Sequence, residues 1–459
     1  MDRFTLAVDR RFVLRGVAAS AAVLAAPVAA RAQSSADAVL FTLADLHAPY
    51  ARLPAMLDQL RSLRAQANRP AALLINGDIF ERGNVVCLRS NAEADWAFIE
   101  ALCAEMPVVI NIGNHETAIV DDIASFTARA DRAGAQVISN LIDRRTERFV
   151  APYAAHLGLG GIELSLLGLA ATNPFVYREP ARSALTFLDT ARFVADALPG
   201  VAGGADQAMI LSHAGLIADK TFLDTLPDGT LVQGAHDHLL CDYALPNVHY
   251  AHGGSWGTRI GMIELSKSGG AVSARYSAQD VAASGGDAEL AAQIEALKAE
   301  HLTAEDSAVV AVLPQAYDLH ASILMATEAL RLATESDVAM LGHTTFGAPL
   351  AAGPLSHYDL AAYLRFGGPV AVAEISGAQL AGMLALGNQF AAQSLEQRTG
   401  DYVHVAELDI DPARTYRLAV NGWTATNQAA YLGTQDLVFE TVEGLELRQL
   451  IIDDFATRF

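Results

Sequence analysis

The segment Pro107-Val108-Val109-Ile110-Asn111-Ile112 is apolar and is followed at once by the polar motif Gly113-Asn114-His115-Glu116. Short runs rich in valine and isoleucine that stop at a glycine are typical of buried β-strands. The motif after this run carries an amide and an imidazole, and both groups can bind a metal ion. The segment therefore predicts a buried strand with candidate functional residues at its carboxyl end.

Three other apolar runs also end in Asp or His residues, and a further pair of histidines follows them. The resulting polar islands are Asp45-Leu46-His47 after residues 39–44, Gly77-Asp78 after residues 71–76, Gly113-Asn114-His115-Glu116 after residues 107–112, His213 after residues 208–212, and His236-Asp237-His238.

Helical patterns separate the apolar runs. Leucine and methionine recur at helical spacing over residues 50–67, and Trp96, Ile99 and Leu102 repeat the pattern. Alternation of strands and helices predicts a largely parallel sheet, in which the carboxyl ends of the strands face one crevice. Islands that are far apart in the sequence are therefore expected to converge in space.

The islands supply the side chains needed to hold two divalent metal ions. Imidazole and carboxylate together suit Mn, Zn, Fe or Co better than Ca, which prefers oxygen ligands only. One aspartate can bridge two ions, and Asp78 is a natural candidate because it follows Gly77, where the backbone turns tightly. Two ions about 4 Å apart can clamp a phosphoryl group and activate a water molecule. We therefore expect a cofactor of two divalent metal ions.

The order of the islands resembles that of the calcineurin-type metallophosphoesterases, specifically the bacterial 5'-nucleotidase and UDP-sugar hydrolase family. The family pattern is Asp-x-His, Gly-Asp, Gly-Asn-His-Glu/Asp, a lone His and Gly-His-x-His, and residues 234–238 carry one extra residue between the Gly and the His pair. The resemblance implies two metal sites that share one aspartate: Asp45, His47, Asp78 and His238 for one ion, and Asp78, Asn114, His213 and His236 for the other.

His115 matches the family's histidine that lies beside the scissile bond without binding a metal. There it would stabilise the attacked phosphate or protonate the leaving alcohol. The aspartate that orients this histidine in the nucleotidases falls on Ala118 here, so the usual partner is missing. Asp121 and Asp122 lie nearby in the sequence and remain open as orienting acids.

Residues 77–83 offer another partner for the catalytic histidine. They resemble the Gly-Asp-x-x-Asp-Arg-Gly loop of the Ser/Thr phosphatases. That resemblance implies that Glu81 orients the histidine and that Arg82 contacts phosphate, for which a guanidinium is well suited. An ordinary solvated ion pair between Glu81 and Arg82 is the alternative.

The sequence after residue 265 predicts a linker and a second α/β region. Residues 266–286 are rich in Gly, Ser and Ala, residues 288–301 show an amphipathic helical pattern, and later segments such as residues 415–421 resemble the C-terminal domain of 5'-nucleotidases. The resemblance implies a four-layer α/β/β/α metallophosphatase sandwich plus a smaller C-terminal α/β domain. The expected boundaries are 38–275 for the metallophosphoesterase domain, 276–304 for the linker and connecting helix, and 305–459 for the substrate-binding domain.

Phe366 and Trp423 match the two rings between which the nucleotidases stack the base. Stacking tolerates different bases because every base has a flat face, and ordinary packing of both rings in a core is the alternative. The polar anchors of the family are missing: Gly347 stands where an arginine is expected, and residues 427–431 lack the family's aspartate. His343 is a candidate for part of the lost anchoring or for simple packing in its loop. These departures from the family pattern are compatible with a leaving group other than a nucleoside.

The N-terminal residues are typical of an export signal. Arg10-Arg11-Phe12-Val13-Leu14-Arg15 resembles the twin-arginine motif, and an Ala-rich stretch and the small-residue site Ala30-Arg31-Ala32 follow it. Residues 1–32 are therefore predicted to be a signal peptide, with the twin-arginine translocase as a partner during export and the periplasm as the location. The apolar stretch is too short for a permanent membrane anchor. An uncleaved N-terminal helix is the alternative.

The chain is strongly acidic, with a net charge of −21 over 459 residues. This charge argues against nucleic-acid polymers and anionic membranes as partners, while bound metals would still attract a small phosphate ester. The three cysteines allow at most one disulfide. A pair of Cys87 with Cys103 and a set of three thiols that includes Cys241 are both compatible with the sequence.

Together these observations predict an exported dinuclear phosphoesterase that hydrolyses a phosphate monoester, with a 5'-nucleotide or a nucleotide-sugar as the expected substrate. Two alternatives stay open. The periplasmic thiosulfohydrolases resemble these nucleotidases and would suit the loss of the nucleoside anchors. A metal-bound protein that captures a ligand without turnover would suit the missing orienting aspartate.

Overall fold

The computed structural model of the chain describes residues 36–390 and 392–459. The signal peptide predicted for residues 1–32 lies outside the described residues. Within these two ranges, no helix combines the length and the apolar character needed to cross a membrane.

A six-stranded sheet carries the first three polar islands. Its strand order is Ala271–Asp280, Arg259–Ser268, Ala38–Ala44, Ala71–Asn76, Val108–Asn111 and Gln136–Ile138, and the last four strands run parallel. The accompanying helices are Leu53–Ala67, Val85–Arg89, Glu93–Cys103, Ile123–Ala133 and Ala288–His301. This arrangement confirms the prediction of a largely parallel sheet with intervening helices.

A second six-stranded sheet carries the other two islands. Its strand order is Leu240–Ala244, Val248–Gly253, Thr230–Gly234, Gln207–Ser212, Ile162–Leu169 and Ala154–Leu159, with four parallel strands in the centre and an antiparallel strand at each edge. Its helices are Ala181–Ala184, Thr190–Ala202 and Leu216–Asp219, and a small sheet beside it contains Arg148–Phe149, Ile142–Asp143 and Leu185–Thr186.

The two large sheets pack face to face between layers of helices. Phe41 and Leu43 contact the helices on one side of the first sheet, whereas Ala38 and Leu40 pack against the second sheet. This alternation explains the nearly unbroken apolar sequence of the central strands, which are buried on both faces. Val194 and other apolar residues cover the outer face of the second sheet. The predicted four-layer α/β/β/α sandwich is therefore confirmed.

The Gly/Ser/Ala-rich segment differs from the linker that we expected. Ala271–Asp280 is an edge strand that pairs with Arg259–Ser268, so the first sheet extends past the predicted boundary at residue 275. Gly269 and Gly270 form the turn between these strands with φ angles of +58° and +85°, a conformation that favours glycine. The small and polar residues of the segment thus reflect a half-exposed hairpin.

The C-terminal part contains a four-stranded sheet with the order Val338–Ala339, Thr415–Asn421, Pro369–Ser376 and Glu440–Glu446. Two further strand pairs are Val309–Leu313 with Gly353–Ser356 and Leu341–Gly342 with Val403–His404. The helices are Leu319–Ala333, His357–Tyr363, Gly377–Leu386, Gly422–Thr426, Gln428–Leu432 and Leu447–Arg458. Short 3-10 helices along the described chain are His115–Ala118, Pro174–Val176, Leu223–Thr225, His343–Thr345 and Leu395–Gln397. This part confirms the smaller α/β unit.

Candidate active site

The polar islands meet at the carboxyl ends of the strands of both sheets. Two buried asparagines join the sheets at this point. The side-chain amide of Asn76 donates to the carbonyl oxygens of Ser212 at 3.0 Å and Gln233 at 2.7 Å, and the amide of Asn111 donates to two further carbonyl oxygens of the second sheet. Because buried amides need such partners, these bonds fix the histidines of the second sheet relative to the aspartates of the first.

Five of the seven predicted metal ligands have a left-handed backbone conformation. Their φ angles are +47° for Asp45, +53° for His47, +53° for Asp78, +78° for His236 and +56° for His238. Each such residue costs about 1–3 kcal/mol and persists only where the surroundings impose it. Strain of this kind clusters at functional sites, which supports the assignment of a site here.

One group of candidate ligands consists of Asp45, His47 and His238. Their ligand atoms lie within 4.8 Å of one another, and all three residues are buried. The Nε2 atoms of His47 and His238 face each other at 2.9 Å. Two imidazole nitrogens this close are oriented towards a common position, as the ligands of one cation are.

A second group consists of Asp78, His213 and His236, whose ligand atoms also lie within 4.8 Å of one another. Asp78 lies between the two groups, since its Oδ1 is 3.2 Å from Nε2 of His213 and its Oδ2 is 3.8 Å from Nε2 of His47. A carboxylate with one oxygen towards each group is the arrangement that a bridging ligand needs.

Unpaired polar atoms in these groups fit a metal centre. Nδ1 of His236 and Oδ1 of Asn114 are shielded from solvent and have no hydrogen-bond partner among the described residues. A buried polar atom without a partner costs about 1–3 kcal/mol, so cations that accept these lone pairs would remove the penalty. The set of carboxylate, imidazole and amide oxygen suits Mn, Zn, Fe or Co.

Burial and neighbouring charges shift the protonation of the candidate ligands. Burial raises the pKa of Asp45 to about 8 and lowers the pKa of His47 to about 3. Burial also lowers the pKa of His213, but Asp78 and Asp45 outweigh this effect and raise that pKa to about 10. Metal binding at His213 would release its proton, because a ligating imidazole must be neutral.

Glu81 lies between two histidines of the site. Its Oε2 is 3.2 Å from Nδ1 of His47 and 3.5 Å from Nδ1 of His115. Burial by itself would raise the pKa of Glu81, but Arg365 and the two histidines hold it well below its ordinary value. Glu81 is therefore a carboxylate that faces the Nδ1 atoms of both rings.

The other acids considered as partners of His115 lie elsewhere. Asp122 caps the helix Ile123–Ala133 and pairs with an exposed arginine. Asp121 is exposed. Of the three acids considered, Glu81 is the one that the structure brings to His115.

The arginine beside His115 is Arg365, which belongs to the C-terminal part. Its Nη2 lies 3.0 Å from Nε2 of His115, and its Nε donates to Oε2 of Glu81 at 3.2 Å. Arg82 is exposed, and its side chain has no hydrogen bond or ion pair within residues 36–390 and 392–459. The phosphate contact assigned to Arg82 stays a prediction. Arg365 was missed by the sequence reasoning, although it directly precedes the predicted stacking ring Phe366.

The two rings predicted to stack a base are both half-exposed. Phe366 is 48% exposed and Trp423 is 47% exposed, which leaves a face of each ring open to a ligand. The indole N–H of Trp423 donates to the hydroxyl of Tyr431 at 3.0 Å, and that hydroxyl donates to Asp401 at 2.5 Å. Asp401 thus supplies a carboxylate close to the segment that lacks the family's aspartate.

Gly347, which stands where the family has an arginine, packs directly against Trp256. A Cβ atom at this glycine would lie 2.2 Å from Cζ2 of Trp256 and 2.5 Å from the carbonyl oxygen of Ala362. The indole of Trp256 stacks on His47, with ring centroids 5.2 Å apart and an interplanar angle of 21°. The tryptophan and the carbonyl oxygen of Ala362 occupy the space that a side chain at position 347 needs, so an arginine does not fit there.

His343 packs inside its loop. Its ring stacks on Tyr402, its Nδ1 lies 3.0 Å from Nε2 of His404, and its Nε2 lies 3.4 Å from the carbonyl oxygen of His238. Both ring nitrogens therefore face protein atoms. Of the two roles considered for His343, the structure favours packing over ligand anchoring.

Two family models match the chain and cover both parts of the site. The model for calcineurin-like phosphoesterases matches residues 40–255, and the model for the C-terminal domain of 5'-nucleotidases matches residues 301–434. The chain combines a calcineurin-like phosphoesterase domain with a 5'-nucleotidase C-terminal domain. Its family consists of metal-dependent phosphoesterases, and the resemblance inferred from the polar islands is confirmed.

Relatives of this phosphoesterase share its architecture at low sequence identity. The uncharacterized metallophosphoesterase YunD of Bacillus subtilis is 25% identical over 344 residues, which cover 70% of this chain and 71% of the relative. The 5'-nucleotidase precursor from Thermus thermophilus has a TM-score of 0.58 at 18% identity, with 92% of this chain and 96% of that chain covered. Sulfate thiohydrolase SoxB from the same organism has a TM-score of 0.64 at 16% identity, with 92% and 94% covered. These structures establish the fold and leave the substrate open.

The cysteines of the phosphoesterase are free thiols. Cys87 is buried, and Cys103 and Cys241 are partly buried. The structure therefore shows the three-thiol alternative rather than a disulfide between Cys87 and Cys103.

Replacement of Glu81 by glutamine should lower the turnover rate of the phosphoesterase. Glu81→Gln keeps the size of the side chain but removes the charge that faces Nδ1 of His115, and the loss of such a supporting partner costs about 10–100-fold in activity. Turnover at saturating metal, together with metal analysis of the purified protein, checks this expectation. Some metal should also be lost on dialysis, because Glu81 faces Nδ1 of the candidate ligand His47, and the assay at saturating metal separates this effect from the loss of rate. If Glu81→Gln leaves the turnover rate unchanged and Asp121→Asn lowers it, the orienting acid is Asp121.

Proposed function

We propose that the chain is an exported metal-dependent phosphoesterase that hydrolyses a phosphate monoester, most simply a 5'-nucleotide, with the pyrophosphate bond of a nucleotide-sugar as the next candidate. The observation that carries this proposal is the convergence of two groups of candidate ligands on either side of Asp78, with His115 beside them. When bound, two divalent ions would polarise the phosphoryl group and activate water for attack on phosphorus. Residues 38–275 would hold the ions, and residues 305–459 would bind the leaving group.

His115 would assist departure of the leaving oxygen. Its Nδ1 faces the carboxylate of Glu81, so the proton of the neutral ring belongs on Nδ1. Its Nε2 then accepts from Arg365, because a guanidinium only donates. When solvent protonates Nε2, the N–H of Arg365 would no longer be accepted there. The proton on Nε2 would then be passed to the leaving oxygen, while Glu81 stabilises the charged ring.

Features outside the centre support the rest of the proposal. The half-exposed rings of Phe366 and Trp423 offer faces on which a base can stack. The twin-arginine motif within residues 1–32 supports export to the periplasm. A net charge of −21 supports a small ester over a polyanionic polymer as the substrate.

The first test measures the release of phosphate from AMP, and of UMP and glucose 1-phosphate from UDP-glucose, by the purified mature chain with added Mn. We expect release that stops when a chelator removes the metal and returns when Mn is added back. Absence of release from both substrates and from a panel of simpler phosphate esters would contradict the proposal.

One observation favours a second candidate function, hydrolysis of a thiosulfonate on the same scaffold. Trp256 occupies the space next to Gly347, so the nucleoside-anchoring arginine of the nucleotidases has no room here. Release of sulfate from a thiosulfonate-bearing carrier protein, without phosphate release from nucleotides, would support this alternative.

Replacement of Trp423 by alanine should weaken nucleotide binding selectively. Loss of one stacking ring costs about 1–3 kcal/mol per base, so Trp423→Ala should raise KM for AMP by about 10-fold or more. KM for p-nitrophenyl phosphate, which has no base, should change far less. Parallel measurement of both substrates checks the expectation, and equal effects on both would identify Trp423 as a packing residue only.

A further inference from the structure

Arg365 brings a buried positive charge to the candidate active site. Its side chain is only 4% exposed. Its Nε donates to Glu81, its Nη1 donates to the carbonyl oxygen of Thr344 at 3.1 Å, and its Nη2 donates to Nε2 of His115. A guanidinium carries five N–H groups, so two of them remain after these three contacts within the described part of the chain.

Among the described residues, the guanidinium of Arg365 has one carboxylate and two aromatic rings as neighbours, and two of its N–H groups stay available. Within residues 36–390 and 392–459, Glu81 is the one carboxylate that pairs with it, and the same carboxylate oxygen also faces His47 and His115. The rings of Trp256 and Phe366 lie 5.8 Å and 5.0 Å from the guanidinium carbon. A buried guanidinium is stable when its charge is paired and its donors are used. Arg365 can therefore accommodate a second anion.

The position of Arg365 places that anion at the reacting group. The guanidinium contacts His115, which lies beside the two groups of candidate ligands, and it also lies against Phe366, whose half-exposed ring faces solvent. A phosphoryl group held at the centre would thus meet the unused donors of Arg365 on the side of the leaving group.

We propose that Arg365 binds an anionic oxygen of the phosphoryl group and makes the enzyme prefer phosphate monoesters to phosphodiesters. This inference rests on the proposed function. A monoester is a dianion near neutral pH, whereas a diester is a monoanion in which a carbon substituent occupies one of those oxygens. Arginine donors match paired phosphate oxygens in geometry and charge. A monoester therefore gains more from Arg365 than a diester does.

The test compares two esters with the same leaving group, p-nitrophenyl phosphate and bis-p-nitrophenyl phosphate, in the metal-loaded protein. Arg365→Gln should lower kcat/KM for the monoester by about 100-fold, in the range seen when one donor to a transition-state oxygen is removed. The fall in kcat/KM for the diester should stay below about 10-fold. The control is Arg414→Gln, since Arg414 pairs with Asp337 on the surface, and it should change neither value.

A binding measurement separates this proposal from the proposed function. Calorimetry with inorganic phosphate and the Mn-loaded protein should show binding that Arg365→Gln weakens by at least about 10-fold, because a hydrogen bond to a charged group contributes about 1.5–3 kcal/mol. Metal content should not change. If the wild type hydrolyses neither ester, the proposed function fails, and phosphate binding still tests Arg365.

Two results would overturn the proposal. One is an equal fall in kcat/KM for both esters with unchanged phosphate affinity. This result would show that Arg365 only positions Glu81. The other is a larger loss of phosphate binding in Arg82→Gln, which would move the contact to Arg82. If Arg365→Gln does not fold, Arg365→Lys replaces it, and this variant should retain part of the monoester preference because lysine keeps the charge.

Discussion

Asp78→Asn should abolish turnover and lower the metal content of the purified protein. Asp78 is buried, and its two oxygens face His213 and His47, one in each group of candidate ligands. Asparagine offers one neutral oxygen and an NH2 group with two N–H donors in their place, so a bridging position would lose its charge and half of its acceptors. Loss of even a supporting residue costs about 10–100-fold in metal affinity, and the loss of a shared ligand should exceed this.

The measurement is elemental analysis after dialysis, combined with phosphate release from AMP at saturating Mn. Asp237→Asn is a matched control in the same island as His236 and His238. The carboxylate of Asp237 accepts the backbone N–H of Leu216 at 2.6 Å, an interaction that an amide oxygen can keep. The control should retain its metal. Full activity and full metal content in Asp78→Asn would refute the assignment of Asp78 as a shared ligand.

His115→Asn should lower kcat by about 100- to 10,000-fold, the range for loss of a general acid. The effect should depend on the leaving group. AMP releases an alkoxide that needs a proton, whereas p-nitrophenyl phosphate releases a phenolate that is stable without one. The loss for p-nitrophenyl phosphate should therefore be smaller.

Metal analysis of His115→Asn decides between two roles for this histidine. His47, Glu81 and His115 form a third cluster of ligand-type atoms within 4.8 Å. Unchanged metal content with a leaving-group-dependent loss of rate would support proton transfer. Loss of metal would show that His115 is a ligand, and equal losses for both substrates would exclude a role in leaving-group departure.

The layout of the site could be predicted because it depends on local patterns. Each apolar run that stops at Asp45, Asp78 or His213 can be recognised in the sequence by itself, and the geometry of parallel sheets brings the strand ends together. The asparagines that fix the two sheets were harder to find. Asn76 and Asn111 each look like the polar end of a strand, and their importance depends on carbonyl oxygens that lie 157 and 100 residues further along the chain.

Contacts between the two parts of the chain could not be read from the sequence. Arg365 lies 250 residues after His115, and only the tertiary fold shows that their side chains meet. The hairpin that contains Ala271–Asp280 was obscured for a different reason. Its small and polar residues are those of a half-exposed edge strand, and the same composition is typical of a linker.

The contact between Trp256 and Gly347 makes these two positions epistatic. Arginine introduced at Gly347 alone would collide with the indole and with the carbonyl oxygen of Ala362. A gain of nucleoside anchoring therefore requires a smaller residue at Trp256 first, and then a shift of the backbone at Ala362. That first step would also remove the ring on which His47 stacks. Any mutational route to tighter nucleotide selectivity in this protein therefore includes an intermediate in which the candidate ligand His47 is held less firmly.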